Sequence, residues 1–247
     1  MTEISERPRR ASYGVDAPPV PLGLAAGTVV LIVLGIITLT AGSVVWGWVL
    51  IVIGVLLGVQ CGLYLHASLR GKFRVWEGLL DDLPLGGDER LLDMGCGRGA
   101  VLLAAARRLH SGRAAGIDLW RSIDQSGNDP AATERNALAE GVAERVDLYT
   151  GDMVRLPFGD NEFDVVVSSL AIHNIPADAD RAQAVREALR VLRPGGRLVL
   201  VDIFKGAEYR QTLIEEGAAD LTVRPVGWRM WWGSPFVATT AITATAR

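Results

Sequence analysis

The pattern of apolar and polar residues divides the chain into two parts. From Ala17 to Leu69 it contains no Asp, Glu, Lys or Arg. This run is too long for one membrane span and fits two, over residues 22–39 and 44–65, with a turn at Thr40–Ser43. The pattern therefore predicts a transmembrane helical hairpin near the start of the chain.

A signal peptide and a pair of soluble core helices both fit the apolar run less well. A cleaved signal peptide has a shorter apolar core and no second apolar segment, and two buried helices of a soluble protein would carry a charged face. We therefore expect three regions. These are a disordered arm over residues 1–21, the hairpin over 22–69 and a soluble domain over 70–247.

Basic residues flank both ends of the predicted hairpin, whereas its turn is uncharged. Positively charged flanks remain on the cytoplasmic side of a membrane. The sequence thus predicts a multi-pass protein of the cell membrane with both termini and the soluble domain in the cytoplasm. The flanking residues are Arg7, Arg9, Arg10, Arg70, Lys72 and Arg74.

Glycines recur at four-residue intervals in both predicted spans. Gly23 and Gly27 form one set, and Gly54, Gly58 and Gly62 form the other. Small residues at this spacing allow close helix contact, either within the hairpin or between two chains. A homo-oligomer formed through the transmembrane glycines is therefore one expectation.

The soluble part alternates between strand and helix patterns, which predicts an α/β fold with a parallel sheet covered on both faces. Strands are expected near Leu91 and over 114–118, 146–150, 163–172 and 198–203, with helices over 73–83, 99–109, 129–140 and 182–192. Two final strands, 221–226 and 236–245, are expected to form a hairpin.

Charge and cysteine content exclude some classes of function. A net charge of −3 over 247 residues argues against a nucleic-acid-binding protein, which usually has a basic face. Cys61 lies in an apolar run and Cys96 in a glycine-rich turn, so neither a disulfide nor a metal site is indicated. No cysteine or histidine cluster in the sequence suggests a metal ligand set.

The segment Arg90–Ala100 is typical of a strand, a glycine turn and the start of a helix. Asp93 closes the strand, and the turn holds three glycines, of which Gly95 and Gly97 come first. Such a turn lets a ligand approach the backbone, and Asp118, which ends the next strand, is suited to a ribose. Two cofactor classes fit this pattern. It satisfies the dinucleotide motif of nicotinamide-dependent reductases, and its acid before the first glycine also fits an S-adenosylmethionine loop.

Five blocks further along decide between these classes: LLDMGCGRG, AAGIDLW, TGDMVRLPF, FDVVVSSLAIHNI and RVLRPGGRLVLVDI. In this order they resemble class I S-adenosylmethionine-dependent methyltransferases, in the bacterial branch that includes the quinone methyltransferases. The resemblance covers about residues 72–205. It implies a Rossmann-like, seven-stranded sheet whose last strand is antiparallel, with S-adenosylmethionine as cofactor. A dehydrogenase would give no reason for Gly151-Asp152-Met153 or Arg193-Pro-Gly-Gly196.

The resemblance also implies roles for individual residues. Asp93 would lie near the ammonium group, Asp118 would accept both ribose hydroxyls, and Asp152 and Met153 would hold the adenine. Ser168 would contact the methionine portion, or it is an ordinary buried serine. The implied cofactor-binding residues are Asp93, Gly95, Gly97, Gly99, Asp118, Leu119, Asp152, Met153 and Ser168.

Two residues after the fourth strand are candidates for catalysis. His173 and Asn174 lie where acceptors bind in this family, and a histidine can take a proton near neutral pH. The alternative for His173 is a packing role, and Asp202 is a weaker candidate. The polar loop Trp120–Asn128 either covers the adenine or forms part of the acceptor site.

The sequence therefore predicts a membrane-anchored methyltransferase with a small, hydrophobic or lipid-like acceptor. The alternatives are a nicotinamide-dependent reductase and a membrane-tethered S-adenosylmethionine-binding module without catalysis. A loop over 226–236 contains three tryptophans, which favour membrane–water boundaries. This loop is expected to bring the mouth of the site toward the bilayer, unless its aromatic residues pack against a neighbouring helix.

Overall fold

A computed structural model describes residues 11–247. Two long helices lie near the start of that range. Helix α1 (Pro19–Thr40) and helix α2 (Val44–His66) are joined by a three-residue turn and pack along each other. Both are long and apolar enough to cross a membrane by length and composition. Many of their large apolar side chains are exposed, including Val45 at 73% and Trp46 at 66%.

Some of the glycines in the hairpin let the two helices approach each other. A Cβ added at Gly54 would lie 2.9 Å from Ile32 of α1, and one at Gly27 would lie 3.2 Å from Leu57 of α2. Contact within the hairpin, one of the two expected uses of these glycines, is therefore present. A homo-oligomer through the same surface stays a prediction.

Helix α2 does not end at the expected border of the soluble domain. It passes through a π-helical segment (Ala67–Gly71) directly into helix α3 (Lys72–Asp81). Tyr64 and Trp76, on either side of that segment, are buried in one core cluster. The hairpin and the soluble domain thus share one continuous helix and part of one core.

The domain is built on a seven-stranded sheet with the order β3-β2-β1-β4-β5-β7-β6. Strand β7 runs antiparallel to both of its neighbours, and the other neighbouring pairs are parallel. The predicted Rossmann-like sheet with an antiparallel last strand is confirmed. The strands are β1 (Arg90–Met94), β2 (Arg113–Asp118), β3 (Val146–Thr150), β4 (Phe163–Ser169), β5 (Leu192–Ile203), β6 (Ala219–Pro225) and β7 (Thr239–Thr245).

Helices cover both faces of the sheet and create two cores. Adjacent residues of β1 show the division, because Leu91 belongs to one core, Leu92 belongs to the other, and both are fully buried. Side chains alternate across a strand, so an uninterrupted apolar run is what two covered faces require. The helices are α4 (Ala100–Ala106), α5 (Pro130–Ala139), α6 (Asp178–Val191) and α7 (Gly206–Glu215).

Residues 11–18 are packed and differ from the disordered arm expected over residues 1–21. The backbone N–H of Ser12 donates to Asn136 at 2.9 Å, and the hydroxyl of Tyr13 donates to Glu140 at 3.0 Å. These partners lie more than a hundred residues away, so local composition could not reveal them. Residues 19–21 of the expected arm begin helix α1, and residues 1–10 lie outside the described residues.

The tryptophan loop packs in part against α2, while Phe236 in the same loop is 90% exposed. Trp232 is 8% exposed and packs edge-on against Tyr64 of α2, with ring centroids 5.2 Å apart. Trp228 stacks on His66 at 4.8 Å and is half exposed. The alternative is therefore observed for these two residues, because the loop is packed against the end of α2.

Candidate cofactor and acceptor site

One cavity of about 780 Å³ opens at the carboxyl ends of the parallel strands. This edge is where ligands bind in open α/β sheets, because the strand order reverses between β1 and β4. The glycine turn, the ends of β2 and β4 and the turn that carries His173 all contribute to its wall. The predicted site residues in the wall are Asp93, Gly95, Gly97, Asp118, Leu119, Asp152, Met153, His173 and Asn174.

The glycine turn has a backbone conformation that other residues rarely adopt. Gly95 and Gly97 have φ angles of +75° and +49°. A Cβ at Gly97 would lie 2.5 Å from the side-chain oxygen of Gln125, and one at Gly95 would collide with Ala171. Glycine therefore keeps the cavity open at this turn and allows a ligand to lie against the backbone.

Asp93 is the clearest sign of a cationic ligand. It is 1% exposed and lines the cavity, and neither carboxylate oxygen has a hydrogen-bond partner among the described residues. Burial raises the pKa of Asp93 to about 7; the nearby backbone N–H of Leu102, too poorly placed for a hydrogen bond, opposes this shift, and the charge of Asp118 adds to it. A buried carboxylate without a partner is costly, so a positively charged group bound beside it would be strongly favoured.

Asp118 is held in place by three donors. One oxygen accepts from the backbone N–H of Gly97 at 2.8 Å, and the other accepts from Trp120 N at 2.6 Å and from Asn128 Nδ2 at 3.2 Å. A carboxylate has about four lone-pair sites, so capacity remains for a ligand hydroxyl. These contacts fix the carboxylate at the end of β2, beside the glycine turn.

The remaining predicted cofactor residues fall into two groups. Asp152, whose side chain accepts from Val154 N at 2.9 Å, and Met153 lie in the cavity wall, as does half-exposed Leu119. Gly99 and Ser168 lie outside it. Gly99 precedes α4 with a φ of +85°, and the Ser168 hydroxyl donates to the Met94 carbonyl at 2.8 Å.

The loop over 120–128 lies on the cofactor side, which the sequence left open. Gln125 accepts from the backbone N–H of Arg98 in the glycine turn at 2.8 Å, and Asn128 donates to Asp118. The side-chain oxygen of Asn128 is buried without a partner among the described residues, and the residue lines the cavity. The sequence pointed to this loop as a whole and predicted no role for either residue. The only indication in the sequence was that their loop follows Asp118, the acid expected to bind the ribose.

His173 is oriented by Asp202, the weaker sequence candidate, at the end of β5. Its ring Nδ1 lies 2.5 Å from one oxygen of Asp202, and its backbone N–H donates to the other at 3.0 Å. Asp202 also accepts from Ile203 N at 2.8 Å and from the hydroxyl of Tyr209 at 3.0 Å. Burial, followed by the charge of Asp202, raises the pKa of Tyr209, so this hydroxyl stays a donor.

The hydrogen bonds around Asp202 define the tautomer of His173. A carboxylate with two backbone donors and a tyrosine hydroxyl is an acceptor, so the histidine Nδ1 carries the hydrogen. The other ring nitrogen, Nε2, is then free to accept a proton. The geometry therefore resembles an oriented base in the wall of the cavity.

Another part of the cavity wall is apolar and comes from distant parts of the chain. Val20 near the start of α1 and Tyr64 near the end of α2 both line it, together with Trp232. Phe204, 68% exposed, lies after β5 at the same cavity. The ends of both long apolar helices thus form part of the site.

Comparison with known proteins gives a matching family model for the middle of the chain. Residues 92–200 match the family described as a methyltransferase domain. This range contains most of β1, all of β2 to β4 and most of β5, together with the predicted cofactor residues. The matched segment is therefore the part of the chain that supplies the acids and the glycine turn of the cavity wall.

Curated relatives match a similar segment. A ubiquinone/menaquinone biosynthesis C-methyltransferase of Roseobacter denitrificans is 36% identical over 133 residues, which are 53% of this chain and 50% of that protein. The 27-O-demethylrifamycin SV methyltransferase of Amycolatopsis mediterranei is 37% identical over 131 residues, 52% and 44% of the two chains. The chain spans about half the length of the curated relatives it matches.

Solved structures share the fold at low sequence identity. A geranyl diphosphate methyltransferase in complex with S-adenosylmethionine has a TM-score of 0.57 at 19% identity, covering 71% of this chain and 85% of that one. The [4+2]-cyclase SpnF has a TM-score of 0.59 at 22% identity, covering 70% and 80%. One of these two neighbours is named for a reaction other than methyl transfer, so similarity of fold alone does not define the chemistry.

Proposed function

Because the chain carries a class I S-adenosylmethionine-dependent methyltransferase domain with S-adenosylmethionine as its cofactor, we propose that it methylates a hydrophobic acceptor drawn from a membrane. The observation that carries this proposal is the cavity itself. Its wall combines the glycine turn and Asp93 with residues at the ends of the two long apolar helices. The cofactor and a membrane-dissolved acceptor would therefore share one cavity.

The polar part of the cavity wall fits the cofactor. S-adenosylmethionine supplies an activated methyl group on a sulfonium, together with an ammonium, a ribose and an adenine. Asp93 offers the cationic portion a buried carboxylate that has no hydrogen-bond partner within residues 11–247, and Asp118 and Asn128 offer acceptors to the ribose. Asp152 and Met153 would flank the adenine. The protein's main contribution would be alignment, since the donor is already activated.

His173 gives the transfer a proton acceptor. An acceptor hydroxyl, or an acidic ring carbon, would use its electron pair to bond the methyl carbon, while the S–CH₃ bond breaks and its electrons stay on sulfur. The proton lost by the acceptor would pass to Nε2 of His173, and Asp202 would stabilise the resulting imidazolium through Nδ1. Asn174 lines the same cavity and would contact the acceptor.

The membrane part of the proposal rests on exposure. The hairpin presents a surface of Val, Leu, Ile and Trp side chains that soluble proteins rarely leave in water. Val20 and Tyr64 belong both to this hairpin and to the cavity wall. A lipid-like acceptor could therefore reach His173 along the hairpin without crossing water.

Neighbouring positions on α1 allow a matched test of that route. Val20 lines the cavity, whereas Leu22, two residues further along and 69% exposed, does not. Val20→Gln and Leu22→Gln place the same polar group at nearly the same position along the axis of α1. In vesicles containing a membrane-lipid extract, we expect Val20→Gln to lower the rate of S-adenosylhomocysteine formation about tenfold and Leu22→Gln to retain most of it.

Two results would contradict the proposed acceptor. One is S-adenosylhomocysteine formation that depends on a water-soluble extract rather than on lipid. The other is equal loss in both variants, which would assign the effect to insertion of the hairpin. A domain that binds S-adenosylmethionine and never turns it over with any extract would instead support the alternative of a tethered binding module. The nicotinamide-dependent alternative would require tight binding of a nicotinamide cofactor by the same domain.

The proposed orientation has its own test. With both termini and the methyltransferase domain in the cytoplasm, the uncharged turn between α1 and α2 faces outward. A cysteine introduced by Ser43→Cys should react with an impermeant reagent added to intact cells, and one introduced by Arg247→Cys should not. The reverse labelling pattern would refute this topology.

A further inference from the structure

Residues 11–17, which we call the N-terminal strap, lie against the cofactor side of the domain although they precede the membrane hairpin. Asp16 and Ala17 line the same cavity as the glycine turn. Ala17 adopts a φ of +37°, which is unusual for a residue with a side chain. The family match begins at residue 92, so this contribution to the cavity lies outside the methyltransferase segment.

Asp16 is the centre of the strap's contacts with the helix that leaves the hairpin. Its carboxylate pairs with Lys72 at 2.7 Å and accepts from Ser68 at 2.9 Å, and its backbone carbonyl accepts from the hydroxyl of Tyr64 at 2.9 Å. These three partners are spaced four residues apart on one continuous helix, so they share one face. Lys72 is 4% exposed, so it depends on Asp16 for its counter-charge.

The strap is also joined to the loop that follows the ribose acid. The N–H of Ala17 donates to Asp124 O at 2.9 Å, and that of Ser126 donates to Val15 O at 3.0 Å. The N–H of Val15 donates to the hydroxyl of Ser126 at 2.8 Å. At Gly14, whose φ is +69°, a Cβ would lie 2.6 Å from Ser126 O, so a larger residue there would push the strap off the loop.

A chain of hydrogen bonds continues from the strap to the glycine turn. Gln125 donates from Nε2 to Asp16 at 3.1 Å and accepts at Oε1 from the backbone N–H of Arg98 at 2.8 Å. Asp16 therefore determines which way the amide of Gln125 points, and Gln125 in turn holds the turn that carries Gly97. The loop ends at Asn128, whose amide donates to Asp118.

We infer that the strap forms part of the wall of the cofactor site, with Asp16 as its positioning residue. Cofactor binding and docking of the strap on the hairpin therefore stabilise each other. Asp16 acts through Gln125 and Lys72 rather than by chemistry of its own. Coupling of this kind is reciprocal, so a bound cofactor should also hold the strap in place. The hairpin is then part of the enzyme's cofactor site as well as its anchor, a role that rests on the proposed function.

Two glycines with similar backbone angles provide the test in the full chain. Gly14→Val should displace the strap, whereas at Gly217, with a φ of +73°, an added Cβ would meet no atom within 4 Å. For S-adenosylhomocysteine binding measured by calorimetry in detergent or nanodiscs, we expect Gly14→Val to raise Kd about tenfold. Gly217→Val imposes a similar backbone strain at a position outside the cavity wall, so the Kd should stay within about twofold of the wild type.

Asp16→Asn is the second variant, and it decides the question if Gly14→Val does not fold. It should raise Kd in the same direction, and in the wild type bound S-adenosylhomocysteine should slow hydrogen exchange at the amides of Asp16, Ala17 and Ser126. Unchanged affinity in the folded variants, or an equal loss in Gly217→Val, would overturn the inference. The measurement contains no acceptor, so its failure is distinct from a failure of the proposed acceptor chemistry.

Discussion

Two parts of the cavity wall, which we call the polar end and the apolar end, are built in different ways. The polar end comes from turns that directly follow β1, β2 and β3, and its acids, Asp93, Asp118 and Asp152, each lie within two residues of a strand end. The apolar end combines the start of α1, the end of α2 and the loop before β7. One end is defined by short segments, and the other exists only once the whole chain has folded.

This difference separates cofactor chemistry from acceptor choice. The polar end requires particular backbone angles and acids, so it restricts the sequence and gives a recognisable motif. The apolar end requires only shape and hydrophobicity, which many residue combinations supply. A Rossmann-like domain can therefore retain its cofactor site while segments outside it supply a different wall to the same cavity.

The largest expected effect is a loss of turnover when His173 is replaced. His173→Ala should lower turnover roughly 100-fold, because a positioned base is lost, while the cofactor Kd stays nearly unchanged. Asp202→Asn should lower turnover in the same direction by disturbing the orientation of the ring. Steady-state kinetics and calorimetry on the same preparation would check both quantities. Full turnover in His173→Ala would return this residue to a packing role.

The polar end is probed next by Asp118→Ala. Loss of a charged acceptor for buried ribose hydroxyls should weaken S-adenosylmethionine binding by about 2 kcal/mol or more. Asp160→Ala, which removes an exposed acid paired with Arg190, is the matched control and should bind normally. Equal affinities for the wild type and a folded Asp118→Ala variant, measured by calorimetry, would show that the ribose lies elsewhere.

A smaller, pH-dependent effect is expected from Asp93. Because burial raises its pKa to about 7, the free protein keeps this carboxyl protonated at lower pH. A cationic cofactor favours the carboxylate, so its affinity should rise with pH, by up to about tenfold per unit below the pKa, and level off above it. Calorimetry between about pH 5.5 and 8.5 on the wild type and Asp93→Asn, in about half-unit steps, should show the slope only in the wild type.

The same shift has a defined effect on stability. The unfolded carboxyl releases its proton near its ordinary pKa of about 4, while the folded one retains it to about pH 7. The unfolded state therefore binds fewer protons in this interval, and the Asp93 contribution to stability declines as the pH rises through it. If the contribution of Asp93 to the unfolding free energy of the cofactor-free protein increased over that pH range, the buried environment assigned to Asp93 would be wrong.

The smallest expected effect on cofactor binding comes from Ser168, which lies just outside the polar end. The Ser168 hydroxyl donates to Met94 O inside the sheet, and neighbouring Ser169 lines the cavity. Ser168→Ala should therefore cost about 1 kcal/mol of unfolding free energy and leave the cofactor Kd within about twofold of the wild type. Denaturation and calorimetry would check the two values. A strong loss of affinity would restore Ser168 as a cofactor contact.

The sequence was sufficient for most of the polar end because its determinants are local. Strand β3 was predicted over the observed residues, and Asp93, Asp118 and Asp152 were identified from their positions after strands. Helix α7 was not predicted, because Tyr209 and Leu213 are its only fully buried large apolar side chains and give a weak periodic pattern. Gly99 and Ser168 fitted the motif but lie outside the cavity wall.

The apolar end and the strap could not be predicted in the same way. Asp16 contacts Lys72 and Gln125, which are 56 and 109 residues away, and nothing in the local sequence marks these pairs. Trp232 suggested a membrane contact by its residue type, but its ring is buried against Tyr64. Such contacts depend on how distant elements pack, which local propensity does not determine.

The most direct test of the central claim is where the methyl group goes. The full-length protein in vesicles of membrane-lipid extract should be given S-adenosylmethionine labelled in its methyl group, with Asp118→Ala as the cofactor-site control. If the acceptor enters from the membrane, label should accumulate in the solvent-extractable lipid fraction with the wild type and fall strongly with the control. Label confined to water-soluble products, or equal in both proteins, would contradict the account.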